Sequence, residues 1–171
     1  LENRARVLMR IVDGVREQCR PDMQLAVRLS PERFGMKVDE IREVFSWLVA
    51  SGKVDLIDMS LWDVFKEAHE PEHAGKQLLD LFTSIPRGNV KLAVAGKIAT
   101  PQDAQKVIDL GADIATLGRG AILHHDFPNK TKADPHFTPR TLPVAAEVLR
   151  SEGLSEPFVN YMKMWTGFVS E

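Results

Sequence analysis

Over residues 1–20 apolar side chains recur at helical spacing. Val7, Leu8, Ile11, Val12 and Val15 form a stripe, and Arg4, Arg6, Arg10 and Arg16 mostly lie off it. Arg20-Pro21-Asp22 breaks that helix, and the pattern shortens. Residues 24–29 (QLAVRL) form a short apolar run that Arg28 interrupts and Ser30-Pro31 closes, which predicts a buried strand with a cation at its tip. A second helix is expected from Asp39 as N-cap through Ile41, Val44, Phe45, Leu48 and Val49, stopping at Gly52. Residues 54–59 (VDLIDM), 90–95 (VKLAVA) and 113–117 (DIATL) are three further strand-like runs.

Helical signals lie between these runs. Residues 74–82 are expected to be helical, with Leu78, Leu79 and Phe82 on the apolar side, before a turn over 85–89. Thr100-Pro101-Gln102-Asp103 combines a hydroxyl N-cap, a proline at the first helical position and an acid in the first turn, and Gly111 stops the helix it opens. The fourth strand ends in Gly118-Arg119-Gly120, and a short helix over 121–123 follows at once. Residues 126–140 read as loop, and 143–150 as a last amphipathic helix stopped by Gly153. The aromatic tail, 157–171, with Phe158, Tyr161, Trp165 and Phe168, is expected to pack on the body.

Four strands alternating with helices imply parallel βα units. Two architectures fit: an open doubly wound sheet, or part of a (βα)8 barrel. A complete barrel takes about 250 residues, so 171 residues with four strands would make a single partial domain, half of one. The chain starts at Leu1 and not at Met, which raises the expectation that it is a piece of something longer.

Composition narrows the function classes. Hydrophobic residues at 44% and charged residues at 27% support a core and exclude a disordered chain. A net charge of −2 supplies no field for nucleic acid or an anionic membrane, so neither is expected as a partner. No apolar run approaches the length of a membrane span, and no signal-peptide pattern opens the chain. The single cysteine, Cys19, cannot form an internal disulfide and points to a reducing compartment, most simply the cytoplasm.

The candidate chemistry lies at the C-terminal ends of strands, where ligands bind in either architecture. The third strand ends in Ala95-Gly96-Lys97 and the fourth in Gly118-Arg119-Gly120. Glycine lets a backbone approach an anion closely, and Arg119 can add a bidentate contact to phosphate oxygens. Taken singly, Gly96 and Gly118 read as turn glycines and Arg119 as a surface charge; the pair with the arginine favours a phosphate site. Arg28, among Leu, Ala and Val, needs either a ligand anion or a structural carboxylate such as Asp55 or Asp58.

Four motifs in this order resemble the C-terminal half of the old yellow enzyme family: Glu2-Asn3-Arg4 before an arginine-rich helix, Val27-Arg28-Leu29-Ser30-Pro31, Gly96 before Thr100-Pro101, and Thr116-Leu117-Gly118-Arg119. The resemblance runs from the first residue to about Pro128. It implies an FMN-dependent oxidoreductase on a (βα)8 TIM barrel, taking hydride from NADH or NADPH and reducing an activated alkene or similar acceptor. By it the four strands are strands 5 to 8, Arg28 lies at the flavin pyrimidine edge, and Ala95, Gly96, Gly118 and Arg119 hold the FMN phosphate. The family residues that hold substrate and donate a proton belong to strands 1 to 4. The resemblance therefore assigns no catalytic residue here, and the chain alone is expected to be inactive.

Two other readings stand beside this one: another phosphate-binding TIM-barrel enzyme, and a non-catalytic half-barrel that assembles with a partner. A half-barrel leaves two strand edges open, so a homo-oligomer or a complex with the missing N-terminal half is expected. No metal site is expected. His124-His125 reads as loop or rim, and Pro71 interrupts the His69/His73 pair, which is expected at the pocket mouth. Trp62 reads as substrate wall or as packing, and nothing beside Cys19 marks a nucleophile.

Overall fold

The computed structural model describes residues 1–32 and 35–170. The chain forms two compact units, Leu1–Gly96 with Val107–Thr116, and Lys97–Lys106 with Leu117–Glu171. The first unit contains the whole sheet. Its strands β1 (Ala26–Leu29), β2 (Leu56–Ser60), β3 (Lys91–Ala95) and β4 (Ile114–Thr116) are all parallel and lie in the order β1-β2-β3-β4. A doubly wound sheet reverses its strand order at a switch point. This sheet does not reverse; it is laid down as consecutive βα units.

Register sorts the strand residues onto two faces. Val27, Leu29, Ile57, Met59, Leu92 and Val94 are all buried on one face. Rows on the other run Arg28–Asp58–Ala93–Ile114 and, one pleat on, Ser60–Ala95–Thr116. Arg28 and Ile114, at the two edges of this second face, are exposed. Parallel sheets are normally covered on both faces, and among the described residues this one is open at both edges.

The helices cover the buried face. α1 (Glu2–Gln18) buries Ala5 and Val12, and α2 (Val38–Ala50) buries Ile41, Val44, Phe45 and Leu48. α2 does so with the pattern read from sequence and α1 only in part, since Val7 and Ile11 of its expected apolar stripe are exposed and Val12 alone of the five is buried. Two carboxylates pin the strand starts. Asp55 accepts from the Leu25 N–H at 2.7 Å and from Arg16 at 2.5 Å. Asp113 accepts from the Leu92 N–H at 2.9 Å and from Lys91 and Arg87.

Residues 74–79 are not helical; α3 covers only Asp80–Thr83. Gly75 has φ +77°, and the segment bonds to 66–68, through Ala68 N–H to Lys76 O and Leu78 N–H to Lys66 O. Leu78 and Leu79 are fully buried all the same. Their apolar pattern records burial and not helical period.

The second unit begins with the first turns of α4 (Pro101–Asp109) and continues as α5 (Arg119–Leu123), α6 (Phe127–Ala133), α7 (Ala146–Ser151) and α8 (Glu156–Lys163). Its core is Leu123, Val144, Leu149, Val159, Met162 and Phe168. α6 lies in the segment expected to be loop. Pro128 sits in its first turn, where a missing N–H costs little, and Asp126 pairs with Lys130 at 2.5 Å. The aromatic tail packs only in part. Phe168 is buried, but Phe158, Tyr161 and Trp165 are exposed and stack on one another at centroid distances of 5.8 and 6.0 Å; Glu171 lies outside the described residues. Among the described residues no helix is long and apolar enough to cross a membrane.

Candidate functional site

Alternation along β1 decides where Arg28 goes. Val27 and Leu29 turn inward, which sends Ala26 and Arg28 to the open face. The Arg28 side chain is 59% exposed, so the expected buried cation is instead a solvated one on an open sheet. Its Nε lies 3.5 Å from Asp58 Oδ2, and its Nη2 donates to Ser60 Oγ at 2.9 Å. Of the two acids open to it in the sequence, Asp58 is the partner; Asp55 is taken by Arg16.

Ser60 pairs in register with Ala95, and Ala95 with Thr116. The guanidinium therefore leans one pleat up the sheet to the row at its C-terminal end, the end at which α/β sheets bind ligands. Asp58 is largely covered, with a side chain 19% exposed, and its Oδ1 is buried without a hydrogen-bond partner among the described residues.

Gly96 closes the same row. Its φ is +153°, and a Cβ there would lie 2.7 Å from Trp62 C and 2.8 Å from Asp63 N. Leu61 N–H donates to Ala95 O and Val64 N–H to Gly96 O, so the loop after β2 is laced onto the end of β3. Trp62 in that loop has φ +63°, a left-handed conformation rare for a bulky residue, and is exposed. The turn-glycine reading of Gly96 thus has a definite physical cause, the close approach of two backbones.

Gly118 in the second unit is different. It precedes α5 with φ −101°, and a Cβ there would meet nothing within 4 Å. No neighbour inside the chain crowds this position. Arg119 is exposed and makes no hydrogen bond or ion pair among the described residues. Gly120 is packed, since a Cβ would come within 3.0 Å of the Leu117 side chain.

Two histidines, His73 and His124, are buried, and His69 is exposed. His73 is not at a pocket mouth; its ring is buried, with Nε2 3.0 Å from Asp39 Oδ1. Asp39 in turn is not the N-cap of α2, a place taken by Lys37. His124 is buried, and its Nε2 accepts the Arg140 N–H at 2.9 Å. Burial, with the nearby Arg140 and Lys130 cations, pushes the His124 pKa down.

His125, Asp126 and Glu152 bring ligand-type atoms within 4.8 Å of one another. Cations already hold this group, because Arg140 bonds Glu152 and Lys130 bonds Asp126. Burial pushes the Glu152 carboxyl up, but bonds from the His125 N–H, Arg140 and the His125 ring outweigh it and hold it at about 2. Such a network fastens helix ends together and leaves little for a metal.

A cleft of about 360 Å³ lined by Arg87, Lys91 and Asp113 lies at the N-terminal ends of β3 and β4, away from the row that Arg28 reaches. No motif in the sequence assigns a role to Ser60. Its signal was the i, i+2 spacing from Asp58, which puts both residues on one face of a strand. The sequence model of the NADH:flavin oxidoreductase / NADH oxidase family matches residues 1–136 of the chain.

Proposed function

The chain belongs to the NADH:flavin oxidoreductase / NADH oxidase family, and from that premise we propose that it is the C-terminal half of an FMN-binding (βα)8 barrel, with strands β1 to β4 as barrel strands 5 to 8. The observation that carries this reading is the Arg28 guanidinium on the open sheet face, leaning to the C-terminal row of Ser60 and Ala95. A cation there suits the edge of a flavin that gains negative charge on reduction. Ala95 and Gly96 at the end of β3, with Gly118 and the exposed Arg119, suit the phosphate.

FMN, when bound, supplies the two-electron relay between NADH or NADPH and an activated alkene or similar acceptor. The residues of this chain bind and orient it: Arg28 holds positive charge at the ring edge, and Arg119 anchors the far end. Groups that hold the acceptor and donate its proton come from the other half of the barrel, so the 171-residue chain by itself is inactive. The open edges β1 and β4 pair with that half or with a second copy, in a cytoplasmic protein.

FMN titration of the full-length protein tests this reading. FMN is expected to bind, and Arg119→Ala to weaken it about tenfold, the effect of one charge-assisted contact of about 1.4 kcal/mol. Riboflavin, which lacks the phosphate, is expected to show no such loss. A full-length protein that takes up no FMN, or that prefers a sugar phosphate, overturns the assignment.

A further inference from the structure

We propose that Asp58 and Ser60 are positioning residues that set both the direction and the effective charge of Arg28; the inference rests on the flavin-edge role proposed for that arginine. Asp58 is the register partner of Arg28 across β1 and β2, so the two side chains leave the same face side by side. Asp58 Oδ2 sits 3.5 Å from Nε, on the inner side of the guanidinium, and Ser60 Oγ takes Nη2 at 2.9 Å, one pleat toward the C-terminal end. The carboxylate pulls the group back onto the sheet, and the hydroxyl draws it forward.

The two pulls are not equivalent. Asp58 carries a negative charge into a largely covered position, and its Oδ1 finds no partner among the described residues. Its other register neighbour is Ala93, which offers no side-chain donor. Arg28 is thus the cation that compensates Asp58, and a covered carboxylate with one oxygen unsatisfied is costly to keep. A purely structural strand would be better served by an apolar residue at this point. Asp58 instead reduces the positive potential that Arg28 projects from the sheet, while Ser60 is neutral and only sets where the guanidinium sits.

Opposite signs follow for the two substitutions. Asp58→Asn removes the compensating charge, so the reduced, anionic flavin gains more than the oxidised one. The ratio of reduced to oxidised FMN affinity is expected to rise about tenfold. Ser60→Ala frees Nη2, the guanidinium withdraws onto Asp58, and the ratio is expected to fall about threefold. Asp58→Glu, which keeps the charge, is expected to return the ratio to near its wild-type value.

The experiment is a redox titration of the FMN-loaded full-length protein followed by flavin absorbance, with the same variants made also in an Arg28→Gln background. If Asp58 and Ser60 act through Arg28, both effects vanish in that background. Should Asp58→Asn fail to fold, the sign of the Ser60→Ala effect and its loss in Arg28→Gln decide the matter. FMN binding with a ratio that Asp58→Asn and Ser60→Ala leave unchanged, or move in the same direction, overturns this inference and leaves the proposed function standing. A wild-type protein that binds no FMN overturns both.

Discussion

Gly96 and Gly118 both follow a strand, yet the chain asks different things of them. Gly96 has a backbone conformation that side chains rarely adopt and no space for a Cβ between itself and Trp62-Asp63, whereas a Cβ at Gly118 would meet open space. Gly96→Ala therefore combines backbone strain with overlap against a backbone that cannot swing aside. It is expected to cost about 2–3 kcal/mol of stability, measurable as a lower urea midpoint with an unchanged slope. A midpoint within error of wild type would show that the loop after β2 moves freely. For Gly118, a Cβ would meet nothing within 4 Å, so no neighbour inside the chain crowds the position.

Among the elements, α4 shows a sequence signal realised atom for atom. Thr100 Oγ1 accepts the Asp103 N–H at 3.0 Å, and Asp103 Oδ2 accepts the Thr100 and Ala99 N–H groups at 3.0 and 3.1 Å. This is a reciprocal cap, with Pro101 at the position where no N–H is needed. Asp103→Ala is expected to destabilise the protein by about 1 kcal/mol, read from thermal or urea unfolding, and Asp103→Glu to recover most of that. No loss in Asp103→Ala would mean that tertiary contacts alone hold the start of α4. Segment 74–79 shows the converse, because its leucines are buried as the pattern requires while its Leu78 N–H donates to Lys66 O and its Lys76 O accepts from the Ala68 N–H. α6 was hidden for a related reason: its single buried anchor, Phe127, packs edge-on against Phe137 ten residues on, a contact no local window shows.

For the whole molecule the decisive feature is a parallel sheet with β1 and β4 as edges and Arg28 and Ile114 exposed on one face. Unpaired edges, with exposed side chains beside them, are sites for association. Light scattering on the 171-residue chain at micromolar concentration is expected to show a dimer or larger species. A monodisperse monomer would contradict this. The amino-acid order by itself determined the four strands, the βα alternation, the cap of α4 and the residue types at the strand ends, because these depend on spacing and on neighbours a few positions away. Only the tertiary structure decided that the sheet runs in unbroken order, that Arg28 lies in the open between Asp58 and Ser60, and that Gly96 is required by a passing backbone. Those outcomes depend on which strands become neighbours and in what register, and residues thirty or more positions apart settle that only when the chain has folded.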